Sequence, residues 1–341
     1  MPGGTITGDT IVLDHGTGAK LSRELVELIV ETLGDVYAGE LEDSATLTVD
    51  GSRIAVTTDC FVVDPPFFGN GDIGKIAVCG TVNDLAVAGA TPRFLTLGVI
   101  LEAGLPMERF VRVLTSVRDT AREAGVMIVA GDTKVVRTGE ADQLYLNTTG
   151  VGVYHREPLR MADVRPGDSI LLSGPIGNHT VHLLSIREGL GFQDRVLSDC
   201  APLGGLLDGV FAKVPDGAVR SVRDVTRGGL SAVLHEYAAK LGRAVTVDLP
   251  AVPIQHETAM AADMLGINPL NCANEGCLAL FVDPAAEAEV LAALQAHHYG
   301  AKAAVVGRVT ERGGGGVLLR DAAGRESALE ELVGAELPRL C

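Results

Sequence analysis

The sequence lacks several features, and each absence excludes a class of protein. No apolar run approaches the roughly 20 residues that a helix needs to cross a bilayer, so the pattern excludes a membrane span. Positive charge is scarce: 28 Lys and Arg face 44 Asp and Glu, and the formal net charge of -16 disfavours nucleic acid and anionic lipid as partners. A Gly-x-Ser-x-Gly motif is missing as well, so acyl hydrolysis is not indicated.

Cysteine is used sparingly, and none of the 6 cysteines belongs to a Cys-x-x-Cys pair, so we expect no disulfide framework. Met1–Gly4 shows no basic region followed by an apolar stretch, and the sequence therefore predicts a cytoplasmic protein. Cys60 and Cys79 lie among apolar or small residues and are predicted to fill the core. Cys341 differs because it is the last residue, where burial is rare, and we interpret it as a working thiol.

Length and patterning indicate two mixed domains. A chain of 341 residues exceeds one comfortable core, and apolar runs alternate with helical periodicity in both halves. The fold prediction is α/β (α+β), with an N-terminal domain at 1–156, a C-terminal α+β domain at 157–325 and a mobile tail at 326–341 that starts as a helix. Strands are predicted near 45–49, 54–58, 94–101, 126–130, 144–153, 168–173, 219–222, 245–249, 278–282 and 303–309, and helices near 21–33, 73–88, 106–124, 179–188, 228–241, 255–265 and 285–297.

A glycine-rich segment at 69–76 matches the P-loop pattern up to its last position. There Ile76 replaces the Ser or Thr that would hold magnesium, and the preceding Pro65–Phe68 is a loop rather than a strand. We favour a helix start capped by Asp72 over a true P-loop.

Acidic residues recur beside predicted strand and helix ends. Asp59 ends a strand, Asp84 lies within a helix rich in small residues, and Asp224 precedes another helix. An aspartate in such a helix is costly to bury without a partner. Acids that converge could hold Mg²⁺ through oxygen ligands, whereas the alternative makes each one a cap or turn residue. His179 and His182 could share a helical face, but a third zinc ligand at suitable spacing is lacking.

In order along the chain, seven segments resemble one family. They are Thr57–Asp59, Gly71–Lys75, Val78–Asp84, Gly131–Val136, Asp224–Gly229, Asn274–Gly276 and Pro338–Cys341. The chain resembles the hydrogenase-maturation carbamoyl dehydratases, the HypE family, over nearly its whole length, and the terminal Pro-Arg-x-Cys is the most specific element. That family belongs to the aminoimidazole ribonucleotide synthetase-like (PurM-like) enzymes, which use ATP. The resemblance implies a two-domain architecture whose N-terminal ATP-binding domain dimerises through its sheet.

By this resemblance, the reaction takes place on the chain's own terminus. The carbamoyltransferase HypF would load a carbamoyl group onto Cys341, and ATP with Mg²⁺ would drive its dehydration to a thiocyanate. The cyano group would pass to iron on a HypC–HypD scaffold complex during assembly of nickel–iron hydrogenase. Phosphorylation is needed because an amide oxygen leaves poorly as hydroxide, and a base must take protons from the nitrogen.

The resemblance also implies roles for particular residues. Lys134 and Glu275 match positions suited to the base, Lys134 only if burial favours its neutral form. Asp59, Asp84 and Asp224 match the acids that hold magnesium and the triphosphate. The other residues implied for the nucleotide site are Asp64, Asp72, Lys75, Asn83, Asp132, Thr133, Thr226 and Arg227. Two positions depart from the family pattern: Ala19 stands where a glycine is usual, and Leu340 replaces the commoner isoleucine.

Two alternatives stay open at this point. One is another ATP enzyme of the same group, such as selenophosphate synthetase or a small-molecule kinase, which makes a free product and needs no terminal cysteine. Selenophosphate synthetase uses a reactive cysteine or selenocysteine near its N-terminus, whereas Cys60 is the first cysteine here. The other alternative is a non-catalytic scaffold for metallocentre assembly, in which the acids serve only as caps.

Overall fold

The N-terminal half is built on a five-stranded sheet in the order β1-β2-β5-β3-β4. The computed structural model describes residues 11–12, 15, 18, 20–37, 42–334 and 339–341. Pairing is antiparallel except between β3 and β4, which are parallel. The elements of this half are β1 (Ala45–Val49), β2 (Ser52–Phe61), β3 (Ala90–Glu102), β4 (Met127–Val136), β5 (Leu144–Tyr154), α1 (Lys20–Leu33), α2 (Ile73–Val87) and α3 (Met107–Ala124).

Helix α2 is the central element of the N-terminal half. Its sequence is apolar or small on nearly every side, and such a helix is stable only when it is covered all round. It packs on β2, β3, β5 and α3 within its own half and on the second half as well. The Asp72 carboxylate accepts hydrogen bonds from the backbone N–H groups of Gly74 (2.9 Å) and Lys75 (3.1 Å). The interpretation of 69–76 as a capped helix start is confirmed.

The C-terminal half carries a seven-stranded sheet in the order β12-β11-β8-β10-β6-β9-β7. Among all the helices in the described ranges, none has the length and apolar character that crossing a bilayer requires. The elements of the C-terminal half are β6 (Ser169–Leu172), β7 (Val219–Asp224), β8 (Arg243–Asp248), β9 (Leu278–Val282), β10 (Ala304–Gly313), β11 (Val317–Arg320), β12 (Glu326–Leu329), α4 (Asn178–Glu188), α5 (Gly204–Phe211), α6 (Gly229–Leu241), α7 (His256–Leu265) and α8 (Glu287–Gln295).

Strand β9 shows why the predicted strand at 278–282 has no polar residue. Alternate side chains of a strand point to opposite faces. Leu280 and Val282 pack into the core on one side of the sheet, and Ala279 and Phe281 pack into the core on the other. Because helices cover both faces, every residue of this strand is buried.

The predicted helical start of the tail is wrong, because residues 326–329 form the edge strand β12. A short turn closes a hairpin with β11: the Asp321 N–H donates to the Arg325 carbonyl, and the Asp321 carboxylate accepts from the Arg325 N–H at 2.9 Å. This turn fixes the antiparallel register and overrides the helical propensity of the segment. In the structure the tail therefore begins after Leu329.

The two halves are joined by two asparagines of the N-terminal half. Asn83 on α2 donates to the Ala201 carbonyl at 3.0 Å and accepts from the Leu203 N–H at 2.7 Å. Asn70 pairs in the same two-way manner with the backbone of Ser198. The segment that precedes α5 is thereby held against the first sheet domain, and a cleft is left beside it.

We predict that the buried Tyr237–Ser221 pair contributes measurably to stability. The Tyr237 ring stacks on Phe281 with 3.8 Å between centroids, and its hydroxyl lies 2.6 Å from Ser221 Oγ. Tyr237→Phe leaves the Ser221 hydroxyl buried without this partner and should lower the free energy of unfolding in urea by about 1–3 kcal/mol. Adding Ser221→Ala should recover part of that loss. Strictly additive losses would show that the two hydroxyls do not act together.

Candidate active site

A cavity of about 710 Å³ lies between the two halves. Helix α1, the end of β2 and one side of α2 line it from the N-terminal half. The end of β7, the loop before α6, the C-terminal part of α6 and the loop before β9 line it from the C-terminal half. Half of the residues that the sequence implicates are brought together here. They are Asp59, Asp84, Asp224, Thr226, Arg227, Glu275 and Cys341.

Three carboxylates form the densest group of charge in the cavity. One oxygen from each of Asp43, Asp84 and Asp224 lies within 4.8 Å of the other two. Asp84 is fixed by the Thr57 hydroxyl, which donates to its Oδ2 at 2.8 Å, and Asp224 is the last residue of β7. The cluster shares Asp84 and Asp224 with the predicted magnesium set, and its third member is Asp43 where the prediction has Asp59.

Asp59 nevertheless lines the same cavity. Its Oδ2 accepts a hydrogen bond from the Thr81 hydroxyl at 2.7 Å, which turns the carboxylate towards α2. Asp43 was missed because it stands in an acidic stretch before β1 and belongs to none of the recognised segments. The one feature of the sequence that could have pointed to Asp43 is its position just before β1, from which a single residue separates it.

Burial and mutual repulsion dominate the electrostatics of this cluster. Burial, followed by the charges of Asp59 and Asp224, raises the pKa of Asp84 well above its usual range. Burial also raises the pKa of Asp43 well above normal, although the Arg223 guanidinium opposes the shift. Arg223 Nε lies 2.8 Å from Asp43 Oδ1 and Arg223 Nη2 lies 3.2 Å from Glu236 Oε2, so its charge is shared. Excess negative charge remains in the cavity, and a cation would neutralise it.

Asn274-Glu275-Gly276 places one carboxyl group beside the cluster. Asn274 ties the loop down by accepting from the Gly177 N–H at 2.7 Å and donating to the Val225 carbonyl at 2.9 Å. Gly276 is required because a Cβ there would lie 1.9 Å from the Asp199 carbonyl oxygen. Burial, followed by Cys200 and Asp199, raises the pKa of Glu275 well above its usual range.

The described C-terminal residues are docked against the protein, and the last of them, Cys341, lines this cavity. The Val62 N–H donates to the Cys341 carbonyl at 2.9 Å, and the Asp64 N–H donates to the Arg339 carbonyl at 3.0 Å. Arg339 returns a hydrogen bond to the Val62 carbonyl at 2.8 Å and forms an ion pair with Asp142. The tail was predicted to be extended and mobile, and its described end is docked alongside the end of β2.

Docking changes the chemistry of the terminal thiol. Leu340 is 5% exposed and packs in an apolar cluster with Phe61 and Phe68, which draws the following residue inwards. Burial, and then the charge of Glu275, raises the pKa of Cys341 to about 12. The docked thiol is therefore protonated at neutral pH. Of the two sequence departures, Leu340 fits its apolar site, and Ala19 lies outside the described residues.

Comparison with known proteins decides the family. The families "AIR synthase related protein, N-terminal domain" and "AIR synthase related protein, C-terminal domain" match residues 41–154 and 165–320. Carbamoyl dehydratase HypE of Escherichia coli (strain K12) is 42% identical over 98% of this chain and 100% of its own. This chain belongs to the HypE family.

Solved HypE structures agree with the fold. A crystal structure of hydrogenase maturation protein HypE in complex with ATP shares 38% identity at a TM-score of 0.81, covering 97% of this chain and 100% of that one. A crystal structure of a HypE–HypF complex shares 37% identity at a TM-score of 0.83, covering 89% and 99%. The predicted two-domain PurM-like architecture is confirmed.

Four of the residues implied by the HypE resemblance have structural partners outside the cavity lining of the described chain. Asp72 caps α2 and also accepts from the Ser116 hydroxyl at 2.5 Å. Asn83 joins the two halves, and Asp64 holds the tail through its backbone N–H. Lys75 lies near Asp199 and Cys200, where burial raises both pKa values and the Lys75 charge opposes the shift. The nucleotide roles implied for these four stay predictions.

The other three implied residues lie on the exposed edge strand β4. Lys134 forms an ion pair with Asp132 at 2.8 Å, and its side chain is 68% exposed. Across the sheet from β2 to β4, Cys60 pairs with Asn147, Asn147 with Gly98 and Gly98 with Asp132. Three strand spacings, about 14 Å, therefore separate Asp132 from the end of β2 that lines the cavity. The burial on which a base role for Lys134 depends is thus absent within one chain. Thr133 shares this exposed edge.

The prediction that Cys60 and Cys79 fill the core is correct for Cys79 and wrong for Cys60. Cys79 is fully buried, but Cys60 is exposed on the open face of the sheet, where Asn147 Nδ2 lies 3.5 Å from its sulfur. Alternation explains the difference, because the neighbours Asp59 and Phe61 point towards α2.

We predict that Asp84→Asn stabilises the protein when divalent cations are absent, by about 0.5–3 kcal/mol. The substitution removes one repelling charge and keeps an acceptor for Thr57. The gain should be larger at pH 8 than at pH 5. The folded wild type has raised carboxyl pKa values, takes up protons as the pH falls and so gains stability relative to the unfolded chain.

Urea unfolding with and without Mg²⁺ measures both effects. Wild type should gain more from Mg²⁺ than Asp84→Asn does. Asp263→Asn, at an exposed position on α7 in the other half, is the control and should change little. A variant that is destabilised equally at both pH values would contradict the repulsion argument.

Proposed function

We propose that this protein is an ATP-dependent carbamoyl dehydratase that converts an S-carbamoyl group on Cys341 into a thiocyanate for nickel–iron hydrogenase maturation. The observation that carries the proposal is the position of Cys341, docked in an acidic cavity together with Glu275. Enzymes that release a small free product have no need of their own terminus in the site. A scaffold without catalysis would not need buried acids with raised pKa values there.

The cavity suits ATP and Mg²⁺. Asp43, Asp84 and Asp224 would hold the cation, since three clustered carboxylates are the oxygen ligands that Mg²⁺ prefers, and Asp59 adds charge beside them. When bound, the cation neutralises triphosphate charge. Thr226 and Arg227 precede the N-terminus of α6, where backbone N–H groups favour anions. A HypE relative in complex with ATP supports ATP as the nucleotide.

The chemistry balances with the groups present. The carbamoyl oxygen attacks the terminal phosphorus of ATP, and ADP leaves. The nitrogen then loses its protons while the C–O bond to phosphate breaks, which yields the carbon–nitrogen triple bond and inorganic phosphate. Glu275 takes a proton from the nitrogen, because a raised pKa brings a carboxyl group closer to the range in which it exchanges protons at neutral pH.

A base role for Lys134 requires that a second chain bury it. Strand β4 leaves an exposed edge that carries Met127 (65% exposed), Val129 (58%) and Val135 (68%). A sheet edge of this kind is a template for pairing with another chain. We propose a homodimer formed through this sheet, in which the partner buries Lys134, Asp132 and Thr133 and Lys134 serves as a second base.

The remaining partners follow from the proposed reaction. HypF would supply the carbamoyl group, in keeping with the HypE–HypF complex among the similar structures. A HypC–HypD complex would accept the cyano group. The cytoplasmic location stays a prediction from the sequence.

Intact-mass analysis tests the reaction. Incubation with carbamoyl phosphate, HypF and ATP should first add a carbamoyl group and then remove one water in an ATP-dependent step. Cys341→Ala should show neither species, whereas Glu275→Gln should accumulate the carbamoyl adduct without dehydration. Cys60→Ala removes the other cysteine that lines the cavity and should behave as wild type. An adduct on any other residue would overturn the proposal.

Light scattering after size-exclusion chromatography tests the dimer. We expect the double variant Met127→Asp/Val129→Asp to be monomeric, because charge is placed on the apolar edge of β4. Met264→Asp is the matched control, since Met264 on α7 is equally exposed at 66% and lies in the other half. A dimer that survives the double substitution would rule out β4 as the interface.

A further inference from the structure

A chain of hydrogen bonds runs from the docked tail into the protein interior. His179 Nε2 lies 2.7 Å from the Leu340 carbonyl oxygen, and His179 Nδ1 lies 2.7 Å from Ser198 Oγ. The Cys200 N–H donates to the same Ser198 oxygen at 3.1 Å. All of these groups except the tail belong to α4 or to the segment before α5, and none is used by the reaction proposed above.

The direction of every proton in this chain is fixed. A carbonyl oxygen can only accept, so His179 carries its proton on Nε2 and donates it to Leu340. Its Nδ1 must then accept, and Ser198 donates its hydroxyl proton there while accepting from Cys200. Burial keeps the imidazole neutral by lowering the pKa of His179 to about 4. The Leu340 carbonyl therefore accepts a hydrogen bond from one donor of fixed orientation, His179 Nε2.

The same segment also holds the Glu275 loop. Asp199 Oδ1 accepts from the Glu275 N–H at 3.0 Å, and the Ala201 N–H donates to the Glu275 carbonyl at 3.4 Å. Asn70 fixes the other side of the segment by donating to the Ser198 carbonyl at 2.8 Å. Residues 198–201 are thus linked to the tail through His179 on one side and contact the loop of the proposed base on the other.

We propose that Ser198 and His179 form a latch that holds the C-terminal tail in the cavity and sets Cys341 at its working position beside Glu275. Both are positioning residues: His179 contacts the Leu340 carbonyl, Ser198 contacts His179, and neither contacts the reacting group. The consequence for dehydration rests on the function proposed above, but docking of the tail does not.

Alkylation of Cys341 by iodoacetamide measures how often the tail leaves. The docked thiol is half-buried, and its raised pKa keeps it protonated, so the reagent reacts mainly with the undocked tail. His179→Leu should raise the alkylation rate by about 5- to 30-fold, because the docked Leu340 carbonyl loses its buried hydrogen bond. Ser198→Ala should raise the rate as well, because His179 loses the hydroxyl that keeps its proton on Nε2, facing the tail. Ser198→Thr keeps the hydroxyl and should restore a rate near that of wild type.

His182→Leu is the matched control for His179→Leu. His182 is buried one turn along α4, and its ring nitrogens face the carbonyls of Val196 (2.7 Å) and Phe68 (2.5 Å), not the tail. Cys79, fully buried in α2, should stay unlabelled in the same peptide digests and so reports that the fold is retained. Equal rates in Ser198→Ala, Ser198→Thr and wild type would overturn the latch.

Dehydration of carbamoyl-loaded protein gives a second readout. Ser198→Ala should slow the loss of water in proportion to the lost docked fraction and leave loading by HypF unimpaired. Failure of wild type to dehydrate would reject the proposed function while the alkylation result still decides the latch. Faster alkylation with undiminished dehydration would show that the latch does not position Cys341 for the reaction, which overturns that part of the proposal.

Discussion

Three carboxylates from different elements meet in the cavity between the two halves, and each is held there against its own desolvation and the charge of the other two. Such an arrangement lasts only on rigid supports. Asp84 lies within a helix that is covered on all sides, and Asp224 ends a strand paired with the fully buried β9. Arg223, whose pKa is raised by Asp43 and Glu236 despite its burial, offsets part of the charge. The rest is available for a bound cation.

The same charge decides what the cavity can accept from the tail. A thiolate would add a further negative charge beside Glu275, and the docked thiol of Cys341 accordingly stays protonated. A carbamoylated sulfur has no proton to lose and brings no charge, so it suits the cavity better than the thiolate does. Under the proposed function, attack by the thiolate on the carbamoyl donor belongs to the undocked tail. Dehydration then takes place on the docked tail. The two steps occur at different positions of the tail, because the Cys341 thiol can ionise only when the tail is undocked.

Much of the fold could be predicted from patterning, since strands such as 278–282 and the capped helix at 73–88 carry their burial in their composition. The cavity acids Asp59, Asp84 and Asp224 came from family resemblance, and all three line the cavity. Asp43 was not predicted because only the tertiary fold, and no local pattern, brings it next to Asp84 and Asp224. The edge strand β12 escaped because a turn, not propensity, determines it. The positions of residues 132–134 depend on strand order, which no local signal encodes.

One short segment links the events that the proposed reaction must coordinate. Residues 198–201 reach the tail through the Ser198–His179 hydrogen bond and contact the Glu275 loop through Asp199. Asn70 and Asn83 bind the same segment to the N-terminal half. Asp199 Oδ2 is buried and finds no hydrogen-bond partner among the described residues, and burial raises the pKa of this group to about 6. A displacement of the segment would move the latch and the proposed base together. Cys341 and Glu275 are therefore aligned by a shared support, so the thiol is in place only when the base is.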